Sequence, residues 1–138
     1  MFKKIMTPVD LSHQGDLQKA LAVTADLAKH YGASVVFVGA TSSTPSATAH
    51  TPEEYRKKLE AFAKDQSEAH GFEASADMVI AHDPTTDVDD VLLKAVRETG
   101  ADIVVMQSHM PNILDYVWPS NGGKIAEHAK VSVFVVRG

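Results

Sequence analysis

Residues 5–40 read IMTPVDLSHQGDLQKALAVTADLAKHYGASVVFVGA. The stretch opens with a short apolar run, Ile5-Met6-Thr7-Pro8-Val9, stopped by Asp10-Leu11-Ser12. Such a run reads as a buried strand. Residues 14–31 then place Leu17, Leu21, Leu27 and Tyr31 at helical spacing with alanines between, and Gly32 stands where a helix stops. Val35-Val36-Phe37-Val38-Gly39-Ala40 follows as a second continuous apolar run, hence a second buried strand. A strand, a helix of ten or more residues and another strand imply a right-handed crossover and a parallel sheet. Strands that are apolar without alternation imply a sheet covered on both faces.

The pattern continues to the end of the chain. Residues 41–50 are rich in Ser, Thr, Pro and Ala and read as a loop. Thr51-Pro52-Glu53-Glu54 is a helix start, with Thr51 as N-cap, Pro52 at the first position and Glu54 closing a capping box. That helix carries Tyr55, Leu59 and Phe62 on its apolar face and stops at His70-Gly71. Residues 74–81 read as a third strand, residues 87–98 as a helix ended by Gly100, and Ile103-Val104-Val105-Met106 as a fourth strand. Residues 108–120 are irregular, 121–129 form a short helix, and Val131-Ser132-Val133-Phe134-Val135-Val136 is a fifth strand. The expected architecture is one domain over residues 1–138, an α/β doubly wound sandwich on a five-stranded parallel sheet.

Composition bounds the chemistry. The 138 residues include no cysteine, which removes disulfides, thiolate metal sites and cysteine nucleophiles. Lys+Arg is 13 against 18 for Asp+Glu, a net charge of −5, so the footprint of a general nucleic-acid binder is missing. The opening lysines precede no long apolar region, and no run approaches a membrane span. The expected setting is the cytoplasm, with no membrane and no nucleic-acid partner.

In an open parallel sheet, ligands sit at the carboxyl ends of strands where the strand order reverses. That directs attention to residues 8–13 and 107–123. Asp10 is suited to accept from a ribose or base amino group, to touch a metal, or to cap the next helix; Ser12 is equally suited to the cap. Ser120-Asn121-Gly122-Gly123 precedes a helix, where backbone amides and the dipole favour an anion or where Ser120 serves as an ordinary N-cap, and Lys124 lies in the first turn. His82 and His109 fall at strand ends near the same crevice, whereas Asp87, Asp89 and Asp90 read as complements of a helix dipole. Tyr116 and Trp118 read as cover over the last helix or as packing for a ligand base or partner. The last strand stands at a sheet edge, where pairing with its own copy would hide an apolar flank.

The stretches Lys4-Ile5-Met6-Thr7-Pro8-Val9-Asp10-Leu11-Ser12, Val105-Met106-Gln107-Ser108-His109, Ser120-Asn121 and Ala126-Glu127-His128-Ala129-Lys130-Val131 through Arg137 together resemble universal stress proteins over essentially the whole chain. The resemblance implies a Rossmann-like sheet of the adenine-nucleotide alpha hydrolase-like type, with strand order 3-2-1-4-5. It also implies a cytoplasmic, regulatory homodimer formed through residues 131–136. It implies binding of ATP or AMP, with magnesium if ATP, hydrolysis absent or very slow, and a protein partner of unknown identity. Pro8, Val9 and Asp10 match the adenosine-side loop, Val38 matches the position whose backbone reads adenine, and Met106 closes the fourth strand beneath the site. Ser108, His109, Met110, Ser120, Asn121 and Gly122 match the phosphate loop. Gln107, Met110 and Pro119 stand where the family pattern has glycines. Met110 adds bulk and Pro119 removes a backbone donor, while Gly122-Gly123 restores a close approach at the helix start. Two other readings follow from the same residues: a nucleotide-free interaction module acting through its dimer surface and the loop at 41–50, and a hydrolase using Ser108, His109 and Asp10.

Overall fold

A computed structural model describes residues 1–41, 51–80, 88–107 and 130–137, and at residues 12, 13, 16 and 88–90 the backbone alone. Its five strands are β1 (Lys4–Val9), β2 (Ser34–Thr41), β3 (Ala74–Ile80), β4 (Ile103–Gln107) and β5 (Ser132–Val136). The helices are α1 (Gln18–Tyr31), α2 (Pro52–His70) and α3 (Val88–Thr99). The expected loop at 42–50, the end of the third strand at 81, and the helix at 121–129 lie outside the described residues.

All strands are parallel and run in the order β3-β2-β1-β4-β5. This is the order expected. Connections β1–α1–β2 and β2–α2–β3 step one way across the sheet, and β3–α3–β4 steps back past β1. One face packs on α1 and α2 through Ile5, Val9, Val35, Phe37, Val105 and their helix partners. The other packs on α3 through Met6, Val36, Val38, Val104 and Met106 against Leu92, Ala95 and Val96. Neighbouring strand residues therefore enter different cores, which is why the central strands show no polar alternation.

Local chemistry sets the element ends. Gly32, Gly71 and Gly100 close α1, α2 and α3 with φ of 65°, 77° and 71°, a left-handed conformation that glycine adopts without strain. Thr51 Oγ1 accepts from the Glu54 amide at 3.1 Å, so α2 begins where expected. The helix expected from residue 14 is shorter: Leu11–Leu17 form a 3-10 turn and α1 starts at Gln18, with no side-chain cap. Leu11 and Leu17 are both buried, and the tighter turn brings these two apolar residues onto the core on either side of Gly15. The one polar side chain β1 turns inward, Thr7, is 2.9 Å from Thr24 on α1, and Thr24 donates to the Ala20 carbonyl at 2.9 Å. Asp102 carboxylate oxygens accept the Lys3 and Lys4 amides at 2.8 and 3.2 Å, tying the start of β1 to the start of β4.

On β3, Asp77 lies opposite Val38, and the alternation Ala76, Asp77, Met78 turns it toward α3. An inward-leaning charge on an outer strand discourages pairing with foreign strands. Partial burial raises the Asp77 pKa, Glu98 raises it further, and Arg56 and Lys4 pull the other way. Between the unfolded and folded pKa the folded chain holds more protons, so its stability falls as pH rises through that window. Asp77→Asn is therefore expected to raise the melting temperature at pH 7 and to lose that gain below the ordinary carboxyl range. Thermal melts at both pH values check it.

Candidate functional site

The order reversal lies between β1 and β4, and the residues ending these two strands form the centre of the candidate site. Asp10 is the first residue past β1 and is 7% exposed. It stands at the head of the 3-10 turn, so its position is set by β1 on one side and Leu11 on the other. Gln107 is the last residue of β4, opposite Val136. Its side-chain Oε1 is buried and has no hydrogen-bond partner among the described residues. An acceptor in that condition carries a desolvation penalty of about 1–3 kcal/mol until a donor arrives.

The strand pleat divides the neighbouring residues between two faces. Pro8, Val38 and Met106 belong to the α3 face: Pro8 pairs with Val38, and Val38 and Met106 are buried in that core. Val9 belongs to the α1/α2 face, and alternation from Ile103 and Val105 puts Gln107 there too. Gly39, opposite Val9, shares this face. Val38 is not at the end of its strand: it sits between Pro8 and Asp77, and β2 runs on to Thr41. Pairing of β2 with β1 ends at Gly39, and Ala40 and Thr41 pair with β3 alone. Ser108, His109, Met110, Ser120, Asn121 and Gly122 lie outside the described residues, as do His82, Asp87, Tyr116, Trp118, Pro119 and Lys124.

One member of the site escaped the reading of the sequence. Tyr55 looks like any apolar-face residue of α2, and it is indeed buried beside Leu59 and Phe62. The Thr51 cap places it just inside the helix, where its phenol crosses the carboxyl end of β2. A Cβ built on Gly39 would lie 2.6 Å from Tyr55 Oη and 2.8 Å from Cε1, so a glycine is required for the ring to sit there. Burial raises the phenol pKa first, the nearby Asp10 charge raises it further, and a hydrogen bond from the Leu11 backbone lowers it. The only sequence signal was a glycine inside an otherwise β-branched strand, a mark of close approach by another group.

Clefts elsewhere do not coincide with this centre. One of about 430 Å³, lined by Ala28, Gly32, Ser34, Gly71 and Phe72 among others, lies at the opposite, amino end of the strands. Another of about 410 Å³ separates Leu11 and Gln14 from Lys58, Phe62 and Asp65 behind the 3-10 turn. The switch point is the better candidate, because it gathers a buried carboxylate and a buried acceptor with no hydrogen-bond partner among the described residues. Among the described residues no group of three or more His, Asp or Glu side chains could hold a metal ion, and no helix is long and apolar enough to cross a membrane.

The universal stress protein family matches residues 1–137. The chain belongs to the universal stress protein family. Its fold is shared with solved structures at low identity. A universal stress protein in complex with cAMP has a TM-score of 0.70 and 17% identity, covering 98% of this chain and 97% of its own. The Archaeoglobus fulgidus universal stress protein in complex with dAMP has a TM-score of 0.64 and 17% identity, covering 96% of each chain. A universal stress protein family protein from Arabidopsis thaliana with AMP bound has a TM-score of 0.63 and 15% identity, covering 98% of this chain and 91% of its own. At such identities the likeness is one of fold.

The Tyr55 environment has a pH consequence. A phenol whose folded pKa lies above its ordinary 10.0 leaves the folded state protonated while the unfolded state ionises. The folded state then binds more protons, so stability is lost as pH climbs past about 10. Tyr55→Phe removes that contribution. Urea unfolding at pH 8 and pH 11 should show a smaller alkaline loss for the variant than for the native chain.

Proposed function

We propose that this universal stress protein binds an adenine nucleotide across the carboxyl ends of β1 and β4 and acts as a regulatory binding protein. The observation that carries the reading is the buried Oε1 of Gln107, which has no hydrogen-bond partner among the described residues and ends β4 next to β1, the strand that leads into the buried Asp10. A carboxylate and an amide oxygen are both acceptors. Such a pair suits the hydroxyl and amino donors of a nucleoside and repels a bare phosphate. The residues present therefore fit the nucleoside half of the ligand. The cAMP, dAMP and AMP held by the three related structures support the same ligand class.

In this reading Asp10 accepts from the ribose hydroxyls and Gln107 from a further nucleoside donor. Pro8, Val9, Val38 and Met106 supply the apolar ground on which the nucleoside rests. The backbone past Gly39 reads the base edge. Ser108, His109 and Met110 after β4, with Ser120, Asn121 and Gly122, hold phosphate through hydroxyls and backbone amides. With a net charge of −5, attraction by the protein's overall field contributes little. Magnesium accompanies the ligand when it is ATP. Hydrolysis is absent or very slow, since the two acceptors described hold sugar donors rather than an attacking water.

Ligand that binds only the folded state stabilises it by mass action. At about a hundred times the dissociation constant the melting temperature should rise by about 8 °C. ATP with magnesium and AMP are each expected to give such a shift, and Asp10→Ala to abolish most of it, each shift being read against the melting temperature of the same variant without ligand. No shift with any adenine nucleotide at millimolar concentration would leave the nucleotide-free interaction module in its place.

The regulatory unit in this proposal is a homodimer paired through β5. That strand bonds to β4 on one side, and Phe134 is 44% exposed while Val133 and Val135 are half-buried. An outer strand with apolar residues on both faces is suited to antiparallel pairing with its own copy. Sedimentation should give a dimer mass for the native chain and a monomer mass for Phe134→Lys. A variant that keeps the dimer mass counts against this interface.

A further inference from the structure

We propose that the free edge of β3, with the groove between it and α2, is a docking surface for an extended, cationic segment of another protein, which joins the sheet as a further strand. The inference does not rest on the nucleotide reading above.

Strand β3 ends the sheet, and no described residue pairs with it on its outer side. On the inner side the Val35 amide donates to the Glu73 carbonyl at 2.8 Å. In a parallel ladder, residues that bond one neighbour alternate with residues that face the other way. Ser75, Asp77 and Val79 therefore turn their amides and carbonyls to β2, and Ala74, Ala76 and Met78 turn theirs outward. The strand holds neither proline nor lysine, so its own guard against an added strand is the carboxylate of Asp77. Beside the edge runs a groove of about 340 Å³. Ala63 and Ser67 of α2 and Ala74 and Ala76 of β3 line it. Small side chains on both walls leave room for the residues that an added strand would point to the α2 face.

Charge selects the occupant. Glu60 and Glu68 line the groove with one cation, Lys64, and neither glutamate forms an ion pair with a described residue. Glu73, exposed, stands directly before the strand. Asp77 turns to the other face, where burial and then Glu98 raise its pKa against Arg56 and Lys4. Arg56 already lies 3.6 Å from Glu53. A second copy of this edge would bring like charges together, and an apolar strand would cover Asp77 without a partner. A Lys or Arg opposite Asp77 removes both penalties. The residue that discourages other strands thus admits a cationic one. The opposite outer strand differs: β5 has no carboxylate, and Lys130 and Arg137 flank it.

The probe is the peptide Val-Lys-Val-Lys-Val-Lys-Val, which when extended sets its lysines on the Asp77 face and its valines over the groove. With saturating peptide, hydrogen exchange of the outward Ala76 and Met78 amides of the native chain should slow by about tenfold, and exchange in β5 should not change. Val-Glu-Val-Glu-Val-Glu-Val should protect neither amide. Val-Lys-Pro-Lys-Pro-Lys-Val, which keeps the charge and cannot form the ladder, should protect neither as well. Ala76→Pro removes an outward amide and no bond to β2, so it should fold, as judged by its melting temperature, and lose about tenfold in affinity. Asp77→Lys should release the lysine peptide and take the glutamate one. Equal protection by the proline peptide means adsorption by charge alone and overturns strand addition. So does protection confined to β5, unchanged exchange at Ala76 and Met78, or a folded Ala76→Pro with full affinity. An assembly in sedimentation that Ala76→Pro breaks puts a second copy on this edge and also overturns the proposal.

Discussion

Strand β1 is bonded on both edges, to β2 and β4, and its inward side chains from Ile5 to Val9 are buried on both faces. Almost everything else in the molecule takes its position from that strand. Its two flanks are where the sheet grows in opposite directions, so its carboxyl end is the one place where two neighbouring crossovers leave on different sides. Asp10 is carried there by connectivity, in the residue directly after the strand. The Asp102 contacts to Lys3 and Lys4 and the Thr7–Thr24 pair hold the same strand at its start and its middle. A carboxylate placed on so constrained a support loses little conformational freedom when it meets a ligand.

Around this end the two cores play different parts. The α3 face contributes an apolar floor through Pro8, Val38 and Met106. The α1/α2 face contributes polarity in an otherwise apolar layer: the Gln107 acceptor and the Tyr55 phenol. A buried polar group with no partner among the described residues opposes folding by itself.

Much of this was legible from residue order. The run at residues 5–9, the run at 35–40 and the helical spacing between them announce a βαβ unit, and the glycines at 32, 71 and 100 mark helix ends that the structure places in left-handed conformation. The Thr51-Pro52 start of α2 was equally plain, because capping depends on residues within one turn of each other. The 3-10 turn was less so. Leu11 and Leu17 fit a helical stripe, and only the packed core decides that a tighter turn buries both. The second strand was read to Ala40, and the one residue it gains at that end, Thr41, is paired by β3, a strand from further along the chain.

The sequence by itself determined the parallel sheet and its two covered faces, since these follow from periodicity and from the handedness of local crossovers. It also brought Asp10 forward, because a carboxylate immediately after a buried strand is visible in the residue order. Only the tertiary structure decided that the Tyr55 ring lies against Gly39, and that Gln107 ends β4 with a buried oxygen that has no hydrogen-bond partner among the described residues. Those are contacts and voids between segments far apart in the chain. They exist once the sheet has closed, and no local pattern of residues encodes them.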